Sequence, residues 1–316
     1  MGKATREAFG SALLDLSEKF PQLVVLDADL SKSTMTAAFA KKHPQRHFEF
    51  GIAESNMIGA AAGLALSGKI PVATSFSCFL VGRLETIRVA VILNRANVKL
   101  VGTHAGLGIG EDGASQMGLE DIAALRGLPG IAILQPADEL ETRQAVEWML
   151  GHKGPVYLRL TRQKLDDVHK PDYQFRFGQA DTVWQPEPRP KHFQATIFAS
   201  GGTVAGAIAA ATGLQPKGFA ARVVNVSTIE PMDADAVEKA CMDSQRIVTV
   251  EDHHIKAGLG GAVCEIVAAL GQGVPVVSLG VRETGESGTP AELYERHGIS
   301  TPHIMEACIK GSGLDI

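Results

Sequence analysis

The chain has 316 residues, enough for two ordinary domains, and its 45% hydrophobic and 21% charged content is typical of a globular protein. A net charge of −5 with no basic run disfavours nucleic acid as the main partner. The four scattered cysteines suggest neither a zinc site nor a disulfide framework, and no stretch resembles a signal peptide or a membrane span. These features predict a soluble cytoplasmic protein that needs no nucleic acid or membrane.

Short apolar runs alternate with segments of helical period along the first 162 residues. The strand-like runs are 23–27, 70–74, 98–102, 131–134 and 156–158, and the helical segments lie near 57–64, 87–92 and 145–149. This alternation predicts a mostly parallel sheet with helices on both faces.

The pattern changes after Arg162, where residues 163–192 are polar and contain four prolines. This composition indicates a linker that leads into one or two short strands. A second α/β unit follows, with strand-like runs at 195–198, 222–226, 246–250 and 274–278 and helical segments near 203–213, 233–242, 259–270 and 302–310. The predicted organisation is a first α/β domain of 1–165, a linker of 166–192 and a smaller α/β domain of 193–316.

Three glycine-containing stretches resemble phosphate loops but lack an essential residue. In 63–70, Ile70 stands where a P-loop needs a hydroxyl group, and the stretch leads from helix to strand. In 106–111 and 258–263, Glu111 and Val263 replace the third glycine of the dinucleotide fingerprint. A nicotinamide cofactor is therefore disfavoured.

Glu54 opens a segment, 54–63, that is otherwise mostly apolar and small. A carboxylate in the first turn of a helix is favoured by the helix dipole, and spacing alone supports that ordinary explanation. The apolar surroundings, however, predict that the carboxylate is at least partly buried. A buried carboxylate needs a partner, and the polar edge of a ligand would serve.

Residues 102–117 carry five glycines together with a histidine, two acidic residues and a glutamine. The segment follows a predicted strand, and open α/β folds bind ligands at the carboxyl ends of their strands. A glycine-rich surface loop with solvated charges explains the composition equally well.

The two segments together resemble the pyrimidine-binding domain of the transketolase family. Their spacing matches almost without gaps from Asp27 to Arg162, and the run 250–254 near 258–260 resembles the family's C-terminal domain. Further matching stretches are 4–10, 27–34, 76–79, 87–90, 111–117 and 158–162.

The resemblance covers only the second half of a full-length transketolase. The other half grips thiamine diphosphate through its phosphates and Mg²⁺ or Ca²⁺ with a Gly-Asp-Gly motif, and no such motif occurs here. The resemblance therefore implies the C-terminal section of a split transketolase. Its partner would be a separate N-terminal section that binds most of the metal, in an assembly with two copies of each chain.

The resemblance also implies which residues surround the cofactor. Glu54 matches the glutamate that hydrogen-bonds the pyrimidine nitrogen and favours the imino tautomer, and it is one of two predicted catalytic residues. Asp29, Phe76 and Phe79 match residues beside the pyrimidine ring, although plain core packing explains Phe76 nearly as well.

The implied reaction moves a two-carbon ketol unit from a ketose phosphate to an aldose phosphate, in the pentose phosphates or in unusual sugars. His104, the second predicted catalytic residue, and Asp112 match residues that bind sugar hydroxyls. Gln116 stands where many members carry histidine and the animal-type enzymes carry glutamine. Arg6, Ser33 and Arg162 match the residues that hold the terminal phosphate of the sugar, and the guanidinium groups of the two arginines suit a phosphate.

Other readings keep the fold and change the reaction. The beta chain of a 2-oxo-acid dehydrogenase decarboxylase component has the same two domains and an obligate partner, but it usually lacks the pattern found at 103–113. A deoxyxylulose phosphate synthase-like enzyme is a further alternative. A cofactor-free regulatory or scaffolding relative would be expected to lack Glu54 or His104, and both are present.

Overall fold

The computed structural model describes residues 2–310, which form two α/β units built on two sheets. The first unit contains the strands β1 Leu23–Asp27, β2 His47–Glu49, β3 Ile70–Phe76, β4 Lys99–Thr103, β5 Ala132–Leu134 and β6 Val156–Arg159. Its α-helices are α1 Thr5–Asp15, α2 Ala37–Lys42, α3 Glu54–Leu66, α4 Ser77–Val81, α5 Leu84–Thr86, α6 Asp121–Arg126 and α7 Glu139–Gly151. A π-helical turn, Ile87–Ile92, continues α5, and 3-10 turns cover Pro44–Arg46, Leu107–Asp112 and Ala114–Gln116.

The first sheet has the parallel order β5-β6-β4-β3-β1-β2. The inner strands β1, β3 and β4 are buried on both faces, which explains why their sequences are mostly apolar, whereas the edge strand β2 is largely exposed. Along β1, Leu23 and Val25 pack in the core cluster that includes α1 and α7, whereas Val24 and Leu26 pack in the one that includes α3. The predicted parallel sheet with helices on both faces is confirmed.

The second unit contains the strands β7 Asp181–Trp184, β8 Ala195–Ala199, β9 Ala221–Asn225, β10 Thr228–Glu230, β11 Ile247–His254 and β12 Val276–Val281. Its α-helices are α8 Val204–Leu214, α9 Ala234–Asp243, α10 Leu259–Leu270, α11 Pro290–Arg296 and α12 Thr301–Ile309, with 3-10 turns at Gly201–Thr203 and Gln215–Lys217. The second sheet has the order β12-β11-β8-β9-β7, in which only the edge strand β7 is antiparallel to its neighbour among the described residues.

The apolar runs do not indicate two short strands, and one of these two connects the units. β7 lies within the polar segment 166–192 and pairs with β9. β10 follows β9 but leaves the second sheet and pairs antiparallel with β5, at the edge of the first. Ile229 of β10 is buried in an apolar cluster that contains residues of both units, so part of the core is shared between them.

The longest helices in residues 2–310, α3 and α7, have 13 residues each, too few to cross a bilayer.

Candidate active site

Five neighbouring parallel strands end at one edge of the first sheet, and most of the predicted site residues follow them. Because parallel strands share a direction, the segments after their carboxyl ends converge there. Arg6 reaches the same edge from α1, since the neighbouring Thr5 hydroxyl accepts the Thr161 N–H at 2.8 Å. Phe76 is the last residue of β3 and Phe79 follows it; the other residues follow β2 (Glu54), β1 (Asp29 and Ser33), β4 (His104, Asp112 and Gln116) and β6 (Arg162).

Glu54 is the first residue of α3 and is only 5% exposed, which confirms its predicted burial. No hydrogen bond to its carboxylate forms within residues 2–310, and Arg83 Nη2 lies 3.9 Å from Oε2. A buried carboxylate with free acceptor capacity needs a donor, because its desolvation is otherwise uncompensated. The arrangement therefore suits a ligand that offers an N–H or O–H group.

Three rings form a stacked group after β3 and β4. The Phe76 and Phe79 ring centroids lie 5.5 Å apart with an interplanar angle of 8°, and those of Phe76 and His104 lie 3.8 Å apart at 26°. Phe76 is buried and Phe79 half-buried. Phe76 thus contributes to the core, and Phe79 retains aromatic surface for a planar ligand.

His104 is held as a neutral ring with a defined tautomer. Its Nε2 lies 3.0 Å from Arg6 Nη1, and its Nδ1 lies 2.8 Å from Thr103 Oγ1. Because a guanidinium only donates hydrogen bonds, Nε2 must accept, and Nδ1 therefore carries the proton and donates to Thr103. Burial, followed by the charges of Arg6 and Arg162, lowers the pKa of His104 to about 3. The ring thus offers one acceptor atom at the site.

Arg6 and Arg162 bring two guanidinium groups close together. Arg6 Nη1 donates to the Ser33 backbone carbonyl at 2.8 Å, while its buried Nε finds no acceptor within the described chain. Arg162 Nη1 donates to the Ile109 carbonyl at 2.6 Å and lies 3.3 Å from Asp112 Oδ1. Burial and then repulsion from Arg162 lower the pKa of Arg6. An anion between the two groups would relieve that repulsion and supply an acceptor.

Asp29 and Gln116 are less closely integrated. Asp29 is exposed, has a positive φ of 61°, and donates its backbone N–H to Glu49 Oε1 at 2.7 Å. The Gln116 amide reaches Ser115 Oγ at 3.5 Å, and its backbone carbonyl accepts from the Cys78 thiol at 3.2 Å. Within residues 2–310, neither side chain hydrogen-bonds to the other predicted site residues.

Asp27 is a supporting residue that sequence reasoning did not single out. It is fully buried at the end of β1, and its Oδ1 accepts the Leu30 N–H at 2.8 Å. Its Oδ2 accepts the hydroxyls of Thr34, Thr36 and Thr74 at 2.6, 2.9 and 2.7 Å. These bonds shape the loop that presents the Ser33 carbonyl to Arg6. An acid that ends a buried strand and precedes several hydroxyl residues is a signal that could have identified it.

Arg83, which no sequence motif singles out, is the nearest cation to Glu54 among the described residues. Its position after α4, and not any recognisable motif, brings it there. The same residues contain no group of three or more His, Cys, Asp or Glu side chains arranged to hold a metal ion.

Comparison with known proteins identifies relatives for both units. The family model of the transketolase pyrimidine-binding domain matches residues 1–167, and that of the transketolase C-terminal domain matches residues 187–304. A protein of Methanocaldococcus jannaschii named as a transketolase C-terminal section is 41% identical over 308 residues, which cover 96% of this chain and 95% of that protein.

Full-length and structural relatives agree. Mouse (Mus musculus) transketolase is 37% identical over 311 residues, which cover 98% of this chain but 49% of the mouse protein, so the chain spans about half its length. A solved structure described as a split-gene transketolase, an inactive beta4 tetramer, has a TM-score of 0.87, 39% identity and 98% coverage of both chains.

The environment of His104 predicts that its ring stays neutral and carries its proton on Nδ1 from pH 5 to pH 8. Its pKa in the unfolded chain is about 6.5, so folding lowers it and favours the neutral form. The resulting contribution to stability is complete above that pH and is lost progressively as the pH falls towards the folded value of about 3. Imidazole ¹⁵N NMR of the chain measures the protonation state and the tautomer of His104. Titration of His104 between pH 6 and 7 would contradict this geometry.

Proposed function

The chain belongs to the transketolase family, and from that premise we propose that it is the C-terminal section of a split, thiamine diphosphate-dependent transketolase. The observation that carries the proposal is the buried Glu54 carboxylate, which accepts no hydrogen bond within residues 2–310 and has only Arg83 at 3.9 Å as a nearby cation, at the sheet edge that also presents the aromatic pair and the two guanidinium groups. The family matches support this activity over a 2-oxo-acid dehydrogenase beta chain or a deoxyxylulose phosphate synthase.

Thiamine diphosphate, when bound, supplies the carbon nucleophile that carries a two-carbon ketol unit from a ketose to an aldose. Glu54 fits its pyrimidine ring, because the carboxylate has free acceptor capacity and little access to water. In this role Glu54 accepts a hydrogen bond from the ring nitrogen and orients it. Phe76 and Phe79 offer stacked aromatic surface to the ring, and Asp29 lies at the same sheet edge after β1.

The sugar would be bound by polar and charged groups at the same sheet edge as the aromatic pair. The Nε2 of His104 accepts a hydrogen bond from a sugar hydroxyl once Arg6 turns to the substrate. Asp112 accepts another, and Gln116 follows it in the same loop. Arg6 and Arg162 hold the terminal phosphate, and Ser33 positions Arg6 through its backbone carbonyl. We therefore propose phosphorylated ketose and aldose substrates.

A separate N-terminal section would provide the sites for the diphosphate and for Mg²⁺ or Ca²⁺. An exposed apolar side chain two residues before Glu54 suits an interface between chains, since Ile52 is 84% exposed. We propose an assembly with two copies of each section, because each site would lie between chains. The tetramer of the split-gene relative supports self-association. The four free cysteines fit a reducing compartment, and we propose a cytoplasmic location.

The proposed function predicts that this chain alone catalyses no ketol transfer. It should become active when mixed with an N-terminal section of roughly 270–300 residues, the size of one α/β domain with extensions. The assay supplies thiamine diphosphate, Mg²⁺, a ketose phosphate donor and an aldose acceptor. Turnover by the isolated chain would refute the split arrangement, and a mixture that stays inactive would refute the transketolase assignment.

Replacement of Glu54 by glutamine or alanine should lower kcat of the reconstituted enzyme about 100-fold or more, roughly 3 kcal/mol, because the cofactor ring loses a buried charged acceptor. Circular dichroism should show an unchanged fold. The control is Glu147→Gln, which removes an exposed carboxylate of α7 that pairs with Lys19. Turnover of the Glu54→Ala variant close to the wild-type rate would overturn the role of Glu54.

Replacement of Arg162 by alanine should raise KM for phosphorylated sugars about tenfold or more and change KM for the unphosphorylated sugars much less, because a phosphate ligand is lost. Arg143→Ala is a matched control. Arg143 is 35% exposed against 36% for Arg162, and it also pairs with two carboxylates, those of Asp15 and Glu139. Equal changes in KM for both kinds of sugar would rule out phosphate binding by Arg162.

A further inference from the structure

The glycine loop, residues 106–113, is held in place by a carboxylate of the second unit. Asp252 lies on β11 and is only 2% exposed. Its Oδ1 accepts the Leu107 N–H at 2.6 Å, and its Oδ2 accepts the Gly108 N–H at 3.1 Å. The carboxylate thereby satisfies two backbone donors of a segment almost 150 positions away in the chain.

The seat of this loop is closely fitted around Asp252. Gly106 has a φ of +80°, and a Cβ atom there would lie 2.3 Å from Asp252 Oδ2, so only glycine is tolerated. Leu107 and Ile109 are buried in the apolar core of the second unit. Further along the loop, Ser287 Oγ donates to the Glu111 carbonyl at 2.7 Å. The first half of the glycine loop is thus part of the interface between the units.

Tyr294 connects the same carboxylate to the segment that carries Arg162. Its hydroxyl donates to Asp252 Oδ2 at 2.8 Å and accepts from Gln163 Nε2 at 2.6 Å. Gln163 directly follows Arg162, whose guanidinium donates to the Ile109 carbonyl of the glycine loop at 2.6 Å. Two separate chains of contacts therefore run from Asp252 to Arg162, one through the loop and one through Tyr294.

Within residues 2–310, neither Asp252 nor Tyr294 hydrogen-bonds to a residue predicted to contact the cofactor. Asp252 binds the backbone of Leu107 and Gly108, in the loop that also carries Asp112, and Tyr294 binds Gln163, the neighbour of Arg162. Resting on the proposed function, we propose that Asp252 and Tyr294 are positioning residues that place Arg162 for the phosphate end of the sugar. The second unit, to which no substrate contact is assigned, would in this way set specificity for phosphorylated substrates.

The test uses Asp252→Asn and Tyr294→Phe, each in the chain reconstituted with the N-terminal section. The ratio of kcat/KM for a ketose phosphate to that for the same ketose without phosphate should fall about tenfold in Asp252→Asn and about threefold in Tyr294→Phe, through KM more than kcat. In the isolated Asp252→Asn chain, hydrogen exchange at the Leu107 and Gly108 amides should accelerate. Tyr294→Phe keeps both amide contacts and decides the question if Asp252→Asn does not fold.

Glu251→Gln is the matched control, because it makes the same chemical change one position away. Glu251 is also buried and accepts two backbone N–H groups, those of Leu259 and Gly260 at 2.7 and 2.9 Å, but both lie within its own unit. In Glu251→Gln, the ratio of kcat/KM for the ketose phosphate to that for the unphosphorylated ketose (the donor ratio) should therefore match the wild type. Hydrogen exchange at the Leu107 and Gly108 amides should also match, even where the melting temperature falls.

The outcomes separate the two levels of the proposal. A wild-type reconstituted enzyme without activity refutes the proposed function and the positioning role that rests on it. An active wild type with unchanged donor ratios in both variants overturns the positioning role alone. A ratio lowered equally by Glu251→Gln also overturns it, because the effect would then be a general loss of stability.

Discussion

The junction of the two units depends on the hydrogen bonds of the Arg159 side chain, which is buried. Its Nε donates to Asp121 Oδ2 at 2.8 Å, and its Nη2 donates to the carbonyls of Gly118 and Asp252 at 2.9 and 3.0 Å. The Tyr157 hydroxyl completes the Asp121 site at 2.6 Å. One cation thus joins β6, the start of α6, the segment after the glycine loop and β11. Removing one member of such a buried pair costs about 3–5 kcal/mol, because the other charge is left without a partner.

This junction explains how a unit without predicted catalytic residues shapes the site. The first sheet supplies the edge that carries the two arginines and the aromatic rings. The segment between β4 and α6, however, is too rich in glycine to hold one conformation alone. The second unit provides the acceptors and the apolar seat for that segment. Burial raises the pKa of Asp252, while the nearby Arg159 and the donors from Leu107 and Tyr294 oppose that change. The donors therefore offset part of the cost of burying this carboxylate.

Much of the fold follows from local sequence, and the exceptions have physical reasons. Runs such as 23–26 and 156–158 are apolar at every position because both sheet faces are covered, so they can be recognised without a structure. β10 has three residues, and what makes it a strand is the free edge of β5, which no local pattern encodes. For the same reason no local pattern indicates that β10, which lies in the segment predicted as the second domain, pairs with the first sheet.

The residues of the candidate site also fall into two groups, those that the sequence predicts and those that it does not. The burial of Glu54 could be predicted because its neighbours in α3 are small and apolar. The convergence of Arg6, His104 and Arg162 required the family resemblance, since these residues come from three distant segments. Asp252 and Tyr294 were not predictable, because their partners are backbone groups about 145 positions away and a side chain that has no motif.

The pairing of β10 with the first sheet has a consequence for the history of the chain. A second unit exchanged at the linker would have to bring a strand that fits the edge of β5 and apolar side chains that fit the shared cluster. Sequence changes on one side of the junction therefore constrain which changes the other side can accept.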